Sequence, residues 1–287
     1  MPPEVSARFD LGPTALLCAL LRGQSDIPFA RTVADAIGAR RALHDAYGLD
    51  GGDLDALLAE NAQKTEARYK CIGSAVRREG LSRVLELGCG ISFRALDLTR
   101  DPHVTYVATD LPEMLGTCQR LMRETPELRE AAQRPNVVFE AFDLLADTDD
   151  DSVLRHFSSG PLAIVNEGVL GYFTREEKVR VALRVRRMLE RLGGAWITPD
   201  FATRSALAAA EAPATKRAHA AIARATGRTF ADHAFESEDE LEAFLVGLGY
   251  SLETRPMIDG SFALASPEPS SGPLDASGSL LRVLRLR

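Results

Sequence analysis

Two glycines and an acid at a fixed spacing are the residues with the clearest chemical meaning in this sequence. Gly88 and Gly90 follow the short apolar run that begins at Val84, and Asp110 closes the next apolar run, 20 residues after Gly90. In a strand–turn–helix–strand unit, glycines let the backbone approach a ligand, the helix N-terminus offers free N–H groups, and the acid accepts hydrogen bonds from ribose hydroxyls. The spacing therefore predicts a site for an adenosine-bearing cofactor.

The residues after the turn indicate which adenosine-bearing cofactor fits. A dinucleotide site usually has a third glycine in the pattern G-x-G-x-x-G. Here Gly90 is followed by I-S-F-R, without a third glycine. The run E-L-G-C-G instead resembles the first motif of the class I S-adenosylmethionine (SAM)-dependent methyltransferases, whose cofactor has no pyrophosphate. A glycine turn in another kind of α/β protein is the alternative that the two glycines alone leave open.

Composition and charge argue against several classes of partner. The 287-residue chain has a formal net charge of −7 and a sequence pI near 5.4, whereas nucleic-acid binding needs a concentrated basic face. No run of about 18 apolar residues occurs. The first ten residues also lack the apolar middle of a signal peptide. We therefore expect a cytoplasmic protein that binds neither nucleic acid nor membrane, and small molecules or a protein surface fit better as partners.

The cysteines and histidines predict neither a disulfide framework nor a metal site. Cys18, Cys71, Cys89 and Cys118 are scattered without a C-x-x-C pair, and the five histidines form no ligand spacing with them. Cys89 lies inside the glycine turn and can be interpreted as a nucleophile. A small side chain that faces the sheet explains it as well.

Helices at the start of the chain precede these residues. Residues 13–39 contain two stretches of helical periodicity, and a long helix is predicted over residues 54–79, with Arg68 on it. Such an extension either covers the mouth of a site or packs against the edge of the sheet. The planar guanidinium of Arg68 suits the carboxylate of a bound cofactor, with a solvated position on the helix surface as the alternative.

Strands and helices then alternate along the chain. After the strand that begins at Val84 and the strand that ends at Asp110, a third ends in Asp143, and a fourth and a fifth cover residues 161–167 and 195–200. Thr174 and Glu177 form a capping box for the helix between the last two. A helix over 236–248 and strands over 250–256 and 280–286 complete the pattern. The alternation predicts an α/β fold with a doubly wound, mostly parallel seven-stranded sheet.

The chain divides into four predicted parts. They are an N-terminal helical extension (1–80), a Rossmann-like core (81–200), a helical lid insertion (201–235) and the C-terminal part of the core sheet (236–287). The basic residues of the lid either recruit an acidic acceptor or form a solvated face; they are Arg204, Lys216, Arg217, Arg224 and Arg228. The Pro/Ser/Gly-rich residues 266–279 predict a mobile loop.

Four motifs together resemble those of a known family. They are L-E-L-G-C-G-I-S-F-R, A-T-D-L-P-E, F-D-L-L and N-E-G-V-L-G-Y-F-T-R-E-E-K. The chain resembles the leucine carboxyl methyltransferase family, a branch of the class I methyltransferases that includes bacterial O-methyltransferases of polyketide biosynthesis. The last motif is very similar to the family's E-G-x-L-x-Y-[LF]-x-x-E-E. The departures are Ser92, where the family usually has an acid, and Cys89, which is often alanine.

The resemblance implies a role for each matching residue. Arg68 would meet the carboxylate of SAM, the two glycines would back its methionyl chain, and Asp110 would bind its ribose. Asp143 and Leu144 would contact the adenine, and Glu167 would lie beside the sulfonium or the amino group. The full set of cofactor-binding residues predicted in this way is Arg68, Glu86, Gly88, Gly90, Asp110, Leu111, Asp143, Leu144 and Glu167.

Methyl transfer from SAM depends chiefly on alignment of the reacting groups and exclusion of water. Tyr172, just after the fourth strand, is predicted to contact the acceptor, with a packed aromatic side chain as the alternative. His233 is the candidate base, which a hydroxyl acceptor would use and a carboxylate would not need; a surface histidine is the alternative. The prediction is an O-methyltransferase that acts on a carboxylate or hydroxyl of a small, polyketide-like molecule. The oligomeric state stays open, with a homodimer as one alternative.

Two other classes of function are also left open. One is a SAM-binding protein that senses the cofactor or uses its charge for a rearrangement without methyl transfer. The other is an NAD-dependent oxidoreductase on the same fold, which the missing third glycine disfavours.

Overall fold

The computed structural model describes residues 11–49, 51–147, 149–209, 216, 220, 233–272, 274 and 280–287. In this part of the chain, one seven-stranded sheet has the order β3-β2-β1-β4-β5-β7-β6. The strands β1 to β5 pair in parallel, and β7 pairs antiparallel with β5 and β6. The predicted doubly wound, mostly parallel sheet is confirmed. The strands are β1 (Arg83–Leu87), β2 (Thr105–Asp110), β3 (Val137–Ala141), β4 (Leu162–Val165), β5 (Gly194–Thr198), β6 (Tyr250–Pro256) and β7 (Leu280–Leu286).

Helices cover both faces of this sheet. Before β1 lie α1 (Pro13–Arg22), α2 (Ala30–Ala36), α3 (Ala39–Tyr47) and the long α4 (Gly51–Arg78). The helices between β1 and β5 are α5 (Arg94–Leu98), α6 (Pro112–Glu124), α7 (Pro126–Ala131), α8 (Asp151–Leu154) and α9 (Arg175–Leu192). A 3₁₀ turn, Leu170–Tyr172, joins β4 to α9. After β5 come α10 (Arg204–Ala209) and α11 (Glu238–Gly247).

Apolar runs explain why the central strands are buried on both faces. All four residues of β4 are buried. In β1 the side chains alternate between two cores: Val84 packs with Ile72 of α4, whereas Leu85 and Leu87 pack with Val181 of α9. This alternation has the period of two that a strand requires, and a parallel sheet covered on both faces needs uninterrupted hydrophobic strands.

The helices of the N-terminal extension share one core with α4. Leu16 and Leu20 of α1, Leu43 of α3 and Leu54 of α4 belong to the same cluster of buried side chains. The two helical stretches predicted within residues 13–39 are present as α1 and α2. The structure adds α3, and α4 begins at Gly51 rather than at residue 54.

The start of α9 is fixed by the predicted capping box. Thr174 Oγ1 accepts a hydrogen bond of 3.2 Å from Glu177 N, and Glu177 Oε2 accepts one of 2.8 Å from Thr174 N. Two backbone donors that the helix leaves unpaired are satisfied in this way. The box therefore sets the direction in which the first turn of α9 leaves the sheet.

Three predicted strands end two residues early. β3 ends at Ala141, β4 at Val165 and β5 at Thr198, so Asp143, Glu167 and Asp200 lie beyond the sheet. After β3 and β5 a side-chain oxygen accepts a hydrogen bond from a backbone N–H and turns the chain: Asp143 Oδ1 accepts from Leu145 N at 2.8 Å, and Thr198 Oγ1 accepts from Asp200 N at 3.1 Å. Such local hydrogen bonds compete with the strand ladder.

Parts of the predicted lid and loop lie outside the described residues. Arg217, Arg224 and Arg228 are among them, and so is most of the stretch 273–279. Of the remaining basic residues of the lid, Arg204 begins α10 and pairs with Glu236 at 2.6 Å. The side chain of Arg204 is 52% exposed, so its ion pair lies on a solvated surface.

In the part of the chain that the structure describes, no helix combines the length and apolar character that crossing a bilayer requires. Nor do three or more His, Cys, Asp or Glu side chains come together there in a way that could hold a metal ion. All four cysteines are free thiols.

Candidate functional site

A cavity of about 940 Å³ opens beyond the carboxyl ends of the parallel strands. It lies where the strand order reverses between β1 and β4, the position at which open α/β sheets bind ligands. Residues of α1 and α4 also line it. We call the part next to β1, β2 and β3 the β1–β3 half; it includes Gly88, Cys89, Gly90, Ile91, Asp110, Leu111, Met114, Phe142, Asp143, Leu144 and Leu145. The β4–β5 half includes Tyr172, Phe173, Lys178, Phe201, Ala202, Leu207, His233, Ala234, Glu238 and Arg282.

The glycine turn after β1 forms one wall of the β1–β3 half. Gly88 and Gly90 have φ angles of 70° and 52°, which L side chains rarely adopt. A Cβ at Gly88 would lie 2.4 Å from Val169 Cγ2, so this glycine allows the loop after β4 to pack against the turn. A Cβ at Gly90 would meet no atom within 4 Å. Because Gly90 lines the cavity, it leaves space beside the backbone for a ligand.

Asp110, at the end of β2, closes the glycine turn. Its Oδ2 accepts a hydrogen bond of 2.7 Å from Gly90 N, and its Oδ1 accepts one of 2.8 Å from Leu111 N. Burial raises the pKa of this carboxyl, and the two backbone donors act in the opposite direction. Leu111 lies beside it on the cavity wall with 47% of its surface exposed. The structure therefore brings four predicted residues together at one place: the two glycines, Asp110 and Leu111.

Asp143 and Leu144 follow β3 and line the same half. Their loop is held from behind by Arg184 of α9, whose Nη1 donates to the carbonyl oxygens of Asp143 and Ala146, both at 2.9 Å. Arg184 Nε also donates to Asp150 at 2.6 Å. Arg184 was not predicted from the sequence, since it lies 41 residues from Asp143.

Glu167, after β4, lies between two arginines. Its Oε1 accepts a hydrogen bond of 2.9 Å from Arg22 Nη2, and its Oε2 accepts one from Arg94 Nη2. Burial would raise the pKa of Glu167, but Arg22, Arg94 and Arg68 overcome it and lower this pKa to about 2. Glu167 lines the cavity as predicted, and the structure pairs both of its oxygens with the protein itself.

Glu86 lies behind the cavity rather than on its wall. It is 2% exposed, its Oε1 accepts a hydrogen bond from Arg94 Nη1, and its Oε2 accepts one of 2.9 Å from Tyr106 Oη. The guanidinium of Arg94 also lies 4.5 Å from the centre of the Tyr69 ring. Of the nine predicted cofactor-binding residues, Glu86 is the one that does not line the cavity. It holds Arg94, which in turn holds Glu167.

Arg68 lines the cavity and pairs with an acid that the sequence analysis missed. Its Nη2 donates to Asp200 Oδ1 at 3.3 Å, while its buried Nε has no hydrogen-bond partner among the described residues. Asp200 also accepts from Asn166 Nδ2 at 2.8 Å. Three backbone N–H groups of the loop after β4 complete the set; they are those of Gly168 (2.7 Å), Val169 (2.7 Å) and Leu170 (3.1 Å). Asp200 follows β5 in the way that Asp110 ends β2. An acid near the end of a strand was therefore the sequence signal that could have identified Asp200.

The two predicted catalytic residues lie in the β4–β5 half. Burial raises the pKa of Tyr172 to about 12. The carbonyl oxygen of His233 accepts a hydrogen bond of 2.5 Å from Lys178 Nζ. Lys178 is 3% exposed and lines the cavity, and the sequence analysis did not single it out.

Comparisons with known proteins support the fold. No family model and no curated protein matches this sequence. Among solved structures, a DUF574 family protein from Streptomyces avermitilis MA-4680 is similar over 99% of this chain and 100% of its own, with a TM-score of 0.57 and 16% identity. The chain has a Rossmann-like fold. At this identity, the likeness is one of fold.

Two further similar structures are methyltransferases by name. The methyltransferase domain of the bacterial protein CtHen1-C is 14% identical, with a TM-score of 0.49, over 76% of this chain and 96% of its own. Magnesium protoporphyrin IX methyltransferase from Synechocystis PCC 6803, with bound SAH, is 15% identical, with a TM-score of 0.46, over 78% of this chain and 85% of its own. The resemblance to the leucine carboxyl methyltransferase family in particular stays a prediction.

Proposed function

We propose that this protein is a SAM-dependent methyltransferase that acts on an oxygen atom of a small molecule. The observation that carries the proposal is the convergence in one cavity of the glycine turn, Asp110, Asp143 and Arg68. The glycine turn follows β1, Asp110 ends β2, Asp143 follows β3 and Arg68 lies on α4. They meet where Rossmann-like sheets bind adenosine-bearing ligands. The motifs that resemble class I methyltransferases contain the first three.

The residues of the β1–β3 half fit the parts of SAM. Asp110 would accept hydrogen bonds from the ribose hydroxyls, and Asp143 with the backbone of Leu144 would bind the adenine. The open space beside Gly90 suits the methionyl chain. Arg68 on the cavity wall suits the carboxylate of SAM, because a guanidinium binds a carboxylate through two N–H groups.

SAM supplies an electrophilic methyl group when it is bound, so the protein has to orient the acceptor and exclude water. Helix α1 contributes to both tasks, because Pro13, Leu17 and Leu21 line the cavity. The β4–β5 half adds Phe173 and Phe201 next to Tyr172 and Lys178. This combination of apolar walls with a few polar groups is typical of small-molecule sites.

The size of the cavity favours a small acceptor over a protein. About 940 Å³ is within the range of small-molecule sites, which runs to about 1,000 Å³. The net charge of −7 disfavours a nucleic-acid acceptor. A carboxylate and a hydroxyl are both compatible with this proposal.

Calorimetric titration with SAM, S-adenosylhomocysteine and NADH tests the proposal directly. We expect binding of the first two and none of NADH, because the turn lacks the third glycine of a dinucleotide site. Release of S-adenosylhomocysteine in the presence of small aromatic acceptors then tests methyl transfer. Binding of SAM without any transfer would favour a SAM sensor or a non-methylating enzyme, and binding of NADH alone would favour an oxidoreductase.

A further inference from the structure

Lys178, in the first turn of α9, is a buried lysine in the wall of the β4–β5 half. Lysines are almost never fully buried unless they are paired, yet this one is 3% exposed. Its backbone N–H donates to Thr174 O at 2.9 Å, so the capping box fixes where the side chain starts. The residue therefore has a defined position beside Tyr172, Phe173 and His233 on the cavity wall.

The amino group of Lys178 makes few interactions for a buried cation. Its Nζ donates to His233 O at 2.5 Å, and no carboxylate of the described residues forms an ion pair with it. An isolated buried ammonium costs more free energy than a neutral amine. The charged groups that act on Lys178 are Arg175 and Glu177 of α9 and Asp200 after β5. Burial, and then Arg175, lower the pKa of Lys178 to about 8.

The other side chains of this half that could take a proton are already engaged or stay protonated. Tyr172 keeps its proton at neutral pH because burial raises its pKa to about 12. The carboxylate of Asp200 accepts five hydrogen bonds. Glu238 Oε2 accepts from Arg282 Nη2 at 2.6 Å. Among the described residues of the β4–β5 half, Lys178 and His233 remain.

We propose that Lys178 Nζ is the general base that takes the proton of a hydroxyl acceptor. The inference rests on the proposed function and narrows the acceptor from an oxygen nucleophile to an alcohol or phenol. A neutral amine has a lone pair for that proton, whereas a carboxylate acceptor has no proton to lose and would pair with an ammonium instead.

The atoms and electrons of the step balance without a further reactant. The acceptor's O–H proton moves to Lys178 Nζ, which becomes an ammonium. The acceptor oxygen forms a bond to the methyl carbon while the carbon–sulfur bond of the sulfonium breaks, and its electron pair stays on sulfur. The products are a methyl ether, a neutral thioether and a protonated lysine, which returns its proton to solvent after release.

Competitive acetylation measures the pKa of the Lys178 amino group and needs no acceptor molecule. The protein is labelled with trace acetic anhydride across a pH series, with a lysine derivative of ordinary pKa, near 10.4, as internal standard, and the modified peptides are quantified by mass spectrometry. We expect Lys178 to become reactive with a midpoint near pH 8, since it lines the cavity and its pKa is about 8. A lysine that does not react, or that reacts with the midpoint of the standard, would overturn the proposal.

Substitutions then separate a base from an anion-binding group. Lys178→Arg keeps the positive charge but cannot act as a base, and we expect it to lower kcat/KM by about a hundredfold or more. Lys178→Met is expected to do the same. Arg187→Met removes a charge from the exposed face of α9, where the side chain is 60% exposed, and is expected to leave activity unchanged. The acceptor probes are 4-methylphenol, 2-naphthol and 2-naphthoate.

The pH dependence of kcat/KM distinguishes a general base from an ammonium that binds a carboxylate, because the two make it change in opposite directions. A base makes kcat/KM for the hydroxyl probes rise as pH increases through about 8, where Lys178 loses its proton. Retained activity in Lys178→Arg, or a preference for 2-naphthoate that falls with rising pH, would overturn the proposal in favour of an ammonium that binds a carboxylate. Loss of activity in His233→Ala but not in Lys178→Arg would assign the base to His233.

Calorimetry with SAM distinguishes failure of the proposal on Lys178 from failure of the proposed function. Lys178 lies in the β4–β5 half, so we expect its variants to bind SAM with the affinity of the unmodified protein, which also shows that they fold. If the unmodified protein does not bind SAM, the proposed function is wrong whatever Lys178 does. If SAM binds and no probe is methylated, the acetylation midpoint decides the proposal on Lys178.

Discussion

The acids beyond the parallel strands differ in how much of their hydrogen-bonding capacity the protein uses. An ionised carboxylate offers about four lone-pair sites. Asp110 accepts two backbone hydrogen bonds, so sites remain for ribose hydroxyls. Asp200 accepts five and can take no further donor without losing one. At the scale of single residues, Asp110 therefore suits ligand binding, whereas Asp200 positions Arg68 and the loop after β4.

Asp110→Ala is expected to weaken SAM binding by at least tenfold, about 1.4 kcal/mol. The change removes both the acceptor for the ribose and the bond that closes the glycine turn at Gly90 N. Calorimetric titration measures the affinity. The control is Glu113→Ala, which changes an exposed acid in the first turn of α6. Unchanged affinity in Asp110→Ala would remove this residue from the site.

Asp200→Asn is expected to lower the free energy of unfolding by about 3 kcal/mol. The amide would direct an NH₂ group at donors such as Gly168 N and Arg68 Nη2, and it would leave Arg68 without its buried counter-ion. Urea unfolding measures the change. Asp259→Asn is the control, because its ion pair with the exposed Arg78 is expected to contribute about 1 kcal/mol or less. Equal effects of the two changes would contradict the role of Asp200.

At the scale of elements, one buried ion network joins α1 to the sheet. It runs from Arg22, at the end of α1, through Glu167 to Arg94 and Glu86 of β1. Removing one partner from such a network leaves a buried charge unpaired, which costs more than an exposed ion pair contributes. The network therefore fixes α1 over the cavity that its side chains line.

Glu167→Gln is expected to lower the free energy of unfolding by about 3 kcal/mol at neutral pH. This value follows from the pKa of Glu167, which the folded protein lowers from 4.5 to about 2. Because the folded-state pKa is the lower one, this contribution is complete above pH 4.5. It is lost as pH falls from there toward 2. Urea unfolding of both proteins across this range measures the difference.

The expected difference in the free energy of unfolding between Glu167→Gln and the unmodified protein becomes smaller as the pH falls. Glu190→Gln is the control, since its pair with Arg186 lies on the surface of α9 with about half of each side chain exposed. Its effect is expected to stay within about 0.5 kcal/mol. A difference for Glu167→Gln that stays constant with pH would contradict the network.

At the scale of the whole molecule, the two halves of the cavity come from different kinds of chain segment. Its β1–β3 half comes from strand ends that follow one another in a Rossmann-like alternation. The β4–β5 half is built from Tyr172 and Phe173 before α9, from Lys178 of α9, from residues after β5 and from Arg282 of β7. A ligand that fills the first half therefore binds the folded chain only, since the unfolded chain has no such surface.

SAM at 100 times its dissociation constant is expected to raise the free energy of unfolding by about 2.7 kcal/mol. S-adenosylhomocysteine is expected to act similarly, and NADH is expected to have no effect. Denaturant titrations with each ligand measure this, at ligand concentrations taken from calorimetry. Stabilisation by NADH equal to that by SAM would contradict the assignment of the glycine turn.

The sequence by itself determined the features that depend on local geometry. Glycines at positions 88 and 90 adopt backbone angles that other residues avoid, and the capping box of Thr174 and Glu177 needs only three residues of separation. The alternation of apolar strands with helices was enough to predict the sheet, because period and burial are written along the chain. From these features the fold could be predicted, and so could a candidate site beyond the strand ends that includes Asp110.

Only the tertiary structure decided which distant side chains meet. Arg22 and Glu167 are 145 residues apart, and Arg68 and Asp200 are 132 apart, so no spacing rule connects them. Asp200 was predicted as the end of a strand. Four of its five donors belong to the loop after β4 and the fifth is Arg68 of α4, so they meet only in the folded chain. The hydrogen bond from Lys178 Nζ to the carbonyl oxygen of His233 likewise joins residues that are 55 positions apart in the chain. The physical reason is that burial and pairing are set by packing between elements, whereas turns and caps are set within them.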